Sequence, residues 1–136
     1  MPDIETAQLT DRFMRRIHAQ LGARAGQFDN HKVGPSGGIL LLTLADMAPV
    51  KMHALVNAMQ RDKSQMTRAV QGLEAKGLIE RRDDPDDARV SVLDLTPLGQ
   101  KAVLCIQEAV AQVLAEILTP LSADEQETLR ALLRRL

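Results

Sequence analysis

The chain contains no tryptophan and no tyrosine, and among its 136 residues only Phe13 and Phe28 are aromatic. Single-stranded nucleic acid is held largely by bases stacked on aromatic rings, so this class of binder is excluded while duplex DNA is not. The single cysteine, Cys105, excludes an intramolecular disulfide and fits a reducing compartment. The longest uninterrupted apolar run, Ala102 to Ile106, is far short of the roughly 20 residues that span a bilayer. Asp3 and Glu5 stand ahead of a polar stretch, where a secretory signal would carry an apolar segment. These absences describe a soluble, cytoplasmic protein with no membrane partner. An excess of charge is missing too: 17 Lys and Arg stand against 18 Asp and Glu, a formal net charge of −1. No global positive field draws the chain to nucleic acid, so any such attraction must be local.

The chemistry of catalysis is also absent. His18, His31 and His53 are far apart and lack Cys or carboxylate partners at metal-ligand spacing. No Gly-rich phosphate loop precedes a helix, and no nucleophile and base are clustered. Neither an enzyme nor a cofactor is expected. Cys105 sits on an apolar helical stripe with Glu108 nearby and no cluster of cations beside it, which suits a packed small hydrophobe better than an oxidation sensor.

What is present is an apolar content of 45%, enough for one packed domain, arranged at helical spacing. Leu9, Phe13, Ile17 and Leu21 recur every four residues along a helix over Thr6 to Ala25. A joint rich in Gly and Pro follows from His31 to Gly38, and then Ile39 to Met47 is apolar almost all round, as a central core helix would be. Val50 and Lys51 suit a minimal edge strand. Met52, Leu55, Val56 and Met59 make the first helix of a pair, and Gln60 and Arg61 are the turn. Asp62 caps the second helix, with Gln65 placed to complete a capping box and Gly77 to close the far end.

Met66, Ala69, Val70 and Leu73 form the buried stripe of that second helix, which leaves Ser64, Arg68, Gln71 and Ala75 opposite and Gln65 and Thr67 beside them. Such a face fits the roughly 12 Å width of the major groove. Ser64, Gln65 and Thr67 can then reach bases, while Arg61, Lys63 and Arg68 hold phosphates. A plain solvated helix would carry the same residue types, and the next segment decides between the two. Leu78 to Arg82 and Arg89 to Leu95 have β-friendly residues on either side of Asp83, Asp84, Pro85, Asp86 and Asp87, which form a turn, and together they make a β-hairpin wing. Arg82 lies on one arm. Arg89 emerges just beyond the tip, where a guanidinium can enter the adjacent minor groove. Four aspartates would repel phosphates unless they are occupied in pairing or capping, and Asp87 is placed to orient Arg89 or Arg68. The fold expected is mainly α with a small β-hairpin wing, a winged helix-turn-helix.

The stretches DKSQMTR, LEAKGLIERR and DDPDDARVSVLDLTPLG, with Asp87, Arg89, Leu95, Thr96 and Gly99 in register, resemble the MarR family of bacterial transcriptional regulators. The resemblance extends loosely over nearly the whole chain. It implies a homodimer whose N- and C-terminal helices intertwine, with two winged modules on a pseudo-palindromic operator. Residues 1–32 would then be the N-terminal dimerisation helix, 33–99 the DNA-binding domain and 100–136 the C-terminal dimerisation helices. The apolar band Leu98, Ala102, Cys105, Ile106, Ala109, Val113, Leu114 and Ile117, and Leu129, Leu132, Leu133 and Leu136 behind a Ser122–Glu125 capping box, are too much apolar helix for a lone module. A monomer that folds these helices back on the module is the rival arrangement.

The resemblance further implies a repressor released by a small phenolic or aromatic effector, here through Arg15, Arg16 or His18. Three positions depart from the family: Ala88 stands where many members carry arginine, and Gly37 and Gly38 where a glutamine and a bulky apolar residue are usual. The two glycines are expected to leave a cavity or a loose hinge. The alternative to a sequence-specific DNA-binding regulator is a winged-helix protein-protein interaction module that does not bind DNA.

Overall fold

The computed structural model describes residues 1–136, which are mainly helical with one small sheet. The elements are α1 (Ile4–Phe28), α2 (Gly34–Met47), β1 (Val50–Lys51), α3 (Met52–Met59), α4 (Lys63–Ala75), β2 (Ile79–Asp83), β3 (Ser91–Leu95), α5 (Pro97–Ile117) and α6 (Ala123–Leu133). They group into two compact units, one of Ala25–Gln107 and one of Met1–Arg24 with Glu108–Leu136. No helix is long and apolar enough to cross a membrane.

In the unit of residues 25–107, α2 starts at Gly34 rather than at Ile39, so most of the expected Gly- and Pro-rich joint is helix. Two devices start it early. Asp29 accepts the N–H groups of Val33 at 2.9 Å and Gly34 at 3.0 Å, and Pro35 sits in the first turn, where a missing N–H costs nothing. The expected cavity at Gly37 and Gly38 is absent. A Cβ on Gly37 would lie 2.9 Å from Val33 Cβ, and Gly38 is buried with Ile106 Cδ1 3.8 Å from where its Cβ would be.

Leu40, Leu41 and Leu44 of α2 are fully buried and share one core with Leu55 of α3, Met66 and Val70 of α4, and Leu78 and Leu93 around the sheet. Burying a side chain of this size contributes about 1.5–3 kcal/mol. Val103 of α5 joins this core although it lies outside the apolar band expected there. The sheet is antiparallel in the order β1-β3-β2, with Val50 opposite Leu93 and Arg81 opposite Leu93 from the other side. Its last strand is tied to the next helix: Thr96 N–H donates to the Leu78 carbonyl at 3.1 Å, and Thr96 Oγ1 accepts from Gly99 N–H at 3.0 Å, capping α5.

The other unit is built differently. Neither its stretch of α1 nor α6 buries a side chain, and only Ala109, Val113 and Ile117 of α5 are buried within it. Arg24 forms an ion pair with Glu116. At the start of α6, Ser122 N–H donates to Glu125 Oε1 at 2.8 Å and Glu125 N–H to Ser122 Oγ at 3.1 Å, completing the expected capping box.

Candidate nucleic-acid interface

Two short helices meet here through a tight turn. After α3 the chain reverses at Gln60, whose φ of 51° lies in the left-handed region, and its N–H closes the helix on the Val56 carbonyl. Asp62 caps α4 by accepting the Gln65 N–H at 3.1 Å. The return bond from the Gln65 side chain is not formed, so the expected capping box is half complete; on this exposed turn water serves the second bond equally well. The far end of α4 closes as a Schellman motif. Leu78 N–H reaches the Leu73 carbonyl at 3.0 Å, Gly77 N–H reaches that of Glu74 at 2.9 Å, and Gly77 takes a φ of 75°.

With both ends held and Met66, Val70 and Leu73 buried, the opposite side of α4 is necessarily outward. Lys63, Ser64, Gln65, Arg68 and Gln71 are exposed, and Thr67 is half-buried with its hydroxyl donating to the Lys63 carbonyl at 2.9 Å. Neither Lys63 nor Arg68 takes part in an ion pair with any carboxylate of the chain. Arg61, in the turn, donates to Ser36 Oγ at 2.9 Å near the start of α2.

β2 runs one residue later than expected at the same length, β3 is shorter, and the loop between them is longer. β3 starts at Ser91, so Arg89 lies in the loop, in a turn where Val90 N–H donates to the Asp87 carbonyl at 3.0 Å, and not on a strand arm. The backbone of the loop is the reason: the Val90 N–H, which would complete the ladder opposite Asp84, goes to the Asp87 carbonyl instead, and aspartate side chains hold the turn around it. Asp84 accepts from Asp86 N–H at 2.8 Å, and Asp87 from Arg89 N–H at 3.1 Å.

Of the two arginines open to it, Asp87 meets Arg89, with Arg89 Nε at 3.0 Å and Nη2 at 3.2 Å from its carboxylate. The Arg89 side chain and then its backbone N–H hold the Asp87 carboxyl below the usual range. Asp84 is buried, and Lys51 Nζ stands 3.2 Å from it. The Asp86 N–H, and after it Lys51, lower the Asp84 carboxyl against the opposing pull of burial. Arg82 lies 3.9 Å from Asp94, and Arg81 binds Glu74 at 2.8 Å.

Between α3, the start of α4 and the wing lies an open cleft of about 450 Å3. Lys63, Thr67, Arg81 and Arg89 border it, together with His53 and Asn57 of α3. The sequence offers His53 only as a metal ligand to be set aside and Asn57 not at all, since a histidine and an asparagine on a short helix carry no signal of this cleft until the wing is folded opposite them. Arg15, Arg16 and His18 are exposed on α1, in the other unit, and Arg15 pairs with Asp11 on its own helix at 2.9 Å.

A helix pair with an outward polar face beside a hairpin that presents Arg89 at its tip defines a winged helix-turn-helix regulator of transcription. The comparisons with known proteins name the family. Residues 39–91 match the family model described as MarR family. The chain is 33% identical over 101 residues to the uncharacterized HTH-type transcriptional regulator YxaD of Bacillus subtilis, covering 74% of this chain and 71% of that protein. Two further relatives, from Thauera aromatica and Bacillus subtilis, are longer, and the chain spans 58% and 59% of their lengths. Among solved structures, apo MarR from Escherichia coli superposes with a TM-score of 0.76 at 23% identity, covering 99% of this chain and 96% of that one. Bordetella bronchiseptica BpsR, whose DNA binding is regulated by 6-hydroxynicotinic acid, superposes with a TM-score of 0.72 at 22% identity over 96% and 97% of the two chains. The chain belongs to the MarR family and is a DNA-binding transcriptional regulator rather than an enzyme.

Proposed function

We propose that the protein is a cytoplasmic, effector-responsive repressor that binds a pseudo-palindromic operator as a homodimer. The observation that carries the DNA-facing reading is the single cleft bordered by Lys63 and Thr67 of α4 and Arg89 of the wing, which lets one duplex meet both elements. In this reading Ser64, Gln65 and Thr67 contact base edges, Arg61, Lys63, Arg68 and Arg82 hold phosphates, and Arg89, oriented by Asp87, enters the flanking minor groove. Dimerisation uses residues 1–32 and 100–136. It is supported by the apolar side chains those segments leave uncovered, among them Ile4, Leu9, Leu132, Leu133 and Leu136.

Selection of bound fragments from genomic DNA tests the reading and yields an operator. On that duplex, Arg89→Ala is expected to weaken binding by about 1–3 kcal/mol without changing the oligomeric state. Gln65→Ala relaxes base preference, whereas Lys63→Ala weakens all sequences alike and flattens the salt dependence. Affinity that does not fall as salt is raised would favour a protein-docking module instead. For the effector we propose a small aromatic or phenolic acid held through Arg15, Arg16 or His18, with Arg15 leaving Asp11 to do so. A panel of such acids scored for release of the duplex tests this, and an acid that still releases DNA from the triple alanine variant overturns the assignment.

A further inference from the structure

We infer that Asp84 and Lys51 form the positioning pair of the wing: without touching DNA, they set where Arg89 stands relative to α4. The inference rests on the reading that Arg89 contacts DNA. Asp84 is the one buried charged side chain in the molecule, and it is the hub of the loop 84–90. One of its oxygens takes the Asp86 N–H at 2.8 Å and the other pairs with Lys51 at 3.2 Å. Its backbone N–H donates to the Val90 carbonyl at 2.9 Å, and its carbonyl accepts from Asp87 N–H at 3.3 Å. Asp87 in turn clamps Arg89 by backbone and side chain. An unbroken series of contacts therefore runs from Lys51 through Asp84 and Asp87 to the Arg89 guanidinium.

The position of Lys51 gives this series its purpose. Lys51 ends β1 and is the residue from which α3 starts, so it is fixed to the helix pair, whereas the loop beyond β2 and β3 is otherwise tied only to its own hairpin. β1 meets β3 over two residues, Val50 opposite Leu93 and Lys51 opposite Val92, and neither pairing reaches the loop. The ion pair does reach it. A buried carboxylate without its partner would turn toward water and release the Asp86 N–H with it, loosening the loop at its root.

The test is a mutant cycle measured with a fluorescent duplex that the wild-type protein selects from genomic DNA, with melting curves on every variant. Asp84→Asn keeps an acceptor for the Asp86 N–H and removes the charge pairing; Lys51→Met removes the other partner, and Lys51→Arg restores it. Asp84→Asn and Lys51→Met are each expected to weaken binding about fivefold, the double variant no more than either, and neither to add to Arg89→Ala. Lys51→Arg is expected to bind like wild type. Wild-type affinity in both Asp84→Asn and Lys51→Met, with Arg89→Ala weakened, overturns the positioning role. So does an undiminished loss from Lys51→Met in the Arg89→Ala background, which would make Lys51 a phosphate contact in its own right. Wild-type affinity in Arg89→Ala instead overturns the wing reading beneath the inference.

Discussion

Residues 25–107 bury thirteen apolar side chains in one cluster drawn from four helices and the sheet, whereas residues 1–24 and 108–136 bury only Ala109, Val113 and Ile117. The two regions are similar in local quality, with long helices, a full capping box on α6 and a Schellman closure on α4. They differ in what the helices find to cover. The unit of residues 25–107 closes its own core, so its stability is a property of one chain. In the other unit Leu132 and Leu133 are more than half exposed, and under the proposed dimerisation the stability of its helices would depend on the partner copy.

The sharpest way to break this contrast is at the tie between the sheet and α5. A Cβ at Gly99 would lie 2.0 Å from the Leu78 carbonyl oxygen, a contact that backbone must move to relieve. Gly99→Ala is expected to cost about 3 kcal/mol or more in chemical unfolding, and a loss below about 1 kcal/mol would show that the helix start yields freely. Next, Leu55→Ala should cost about 2–5 kcal/mol at any protein concentration, while Leu133→Ala should lower the melting temperature only to a degree that depends on dilution. Equal, concentration-independent losses at the two leucines would erase the distinction between the units.

A gain is expected at Gly38. Its Cβ would meet only Ile106 Cδ1, at an ordinary 3.8 Å, and alanine is the better helix former, so Gly38→Ala should stabilise by about 0.5–1 kcal/mol. Destabilisation would reveal a packing constraint at α2. The smallest effect is confined to the wing. Asp84 and Asp87 both titrate below the ordinary value of 3.8, so what they add to loop stability is complete above that pH and is lost as the pH falls through their lowered values. Amide NMR shifts of Asp86 and Arg89 should therefore move together only in that acid range, and midpoints above 3.8 would disconnect these carboxylates from the loop.

Much of this architecture is legible in the chain because its signals are local. Asp62, Gly77, Thr96 and Ser122 each satisfy backbone groups within a few residues of themselves, so helix ends can be placed without knowing the fold. The misreadings have local causes as well. Gly37 and Gly38 suggested a joint, yet Val33 and Ile106 occupy the space their side chains lack, and α2 runs through them. The wing loop is longer than the residue pattern suggests because the Val90 N–H turns from the ladder to the Asp87 carbonyl, in a turn that aspartate side chains hold.

The family motif and the outward face of α4 follow from the order of residues alone, since a 3.6-residue period sorts buried from exposed positions wherever a helix forms. The burial of Asp84 and its pairing with Lys51 do not, and neither do the partners His53 and Asn57 bring to the cleft. Lys51 and Asp84 are separated along the chain by α3, α4 and β2, and His53 and Asn57 lie a whole helix and a strand away from the wing loop. Electrostatic and packing forces act through space over a few ångströms, so only closure of the sheet across β1, β3 and β2 could bring them within reach.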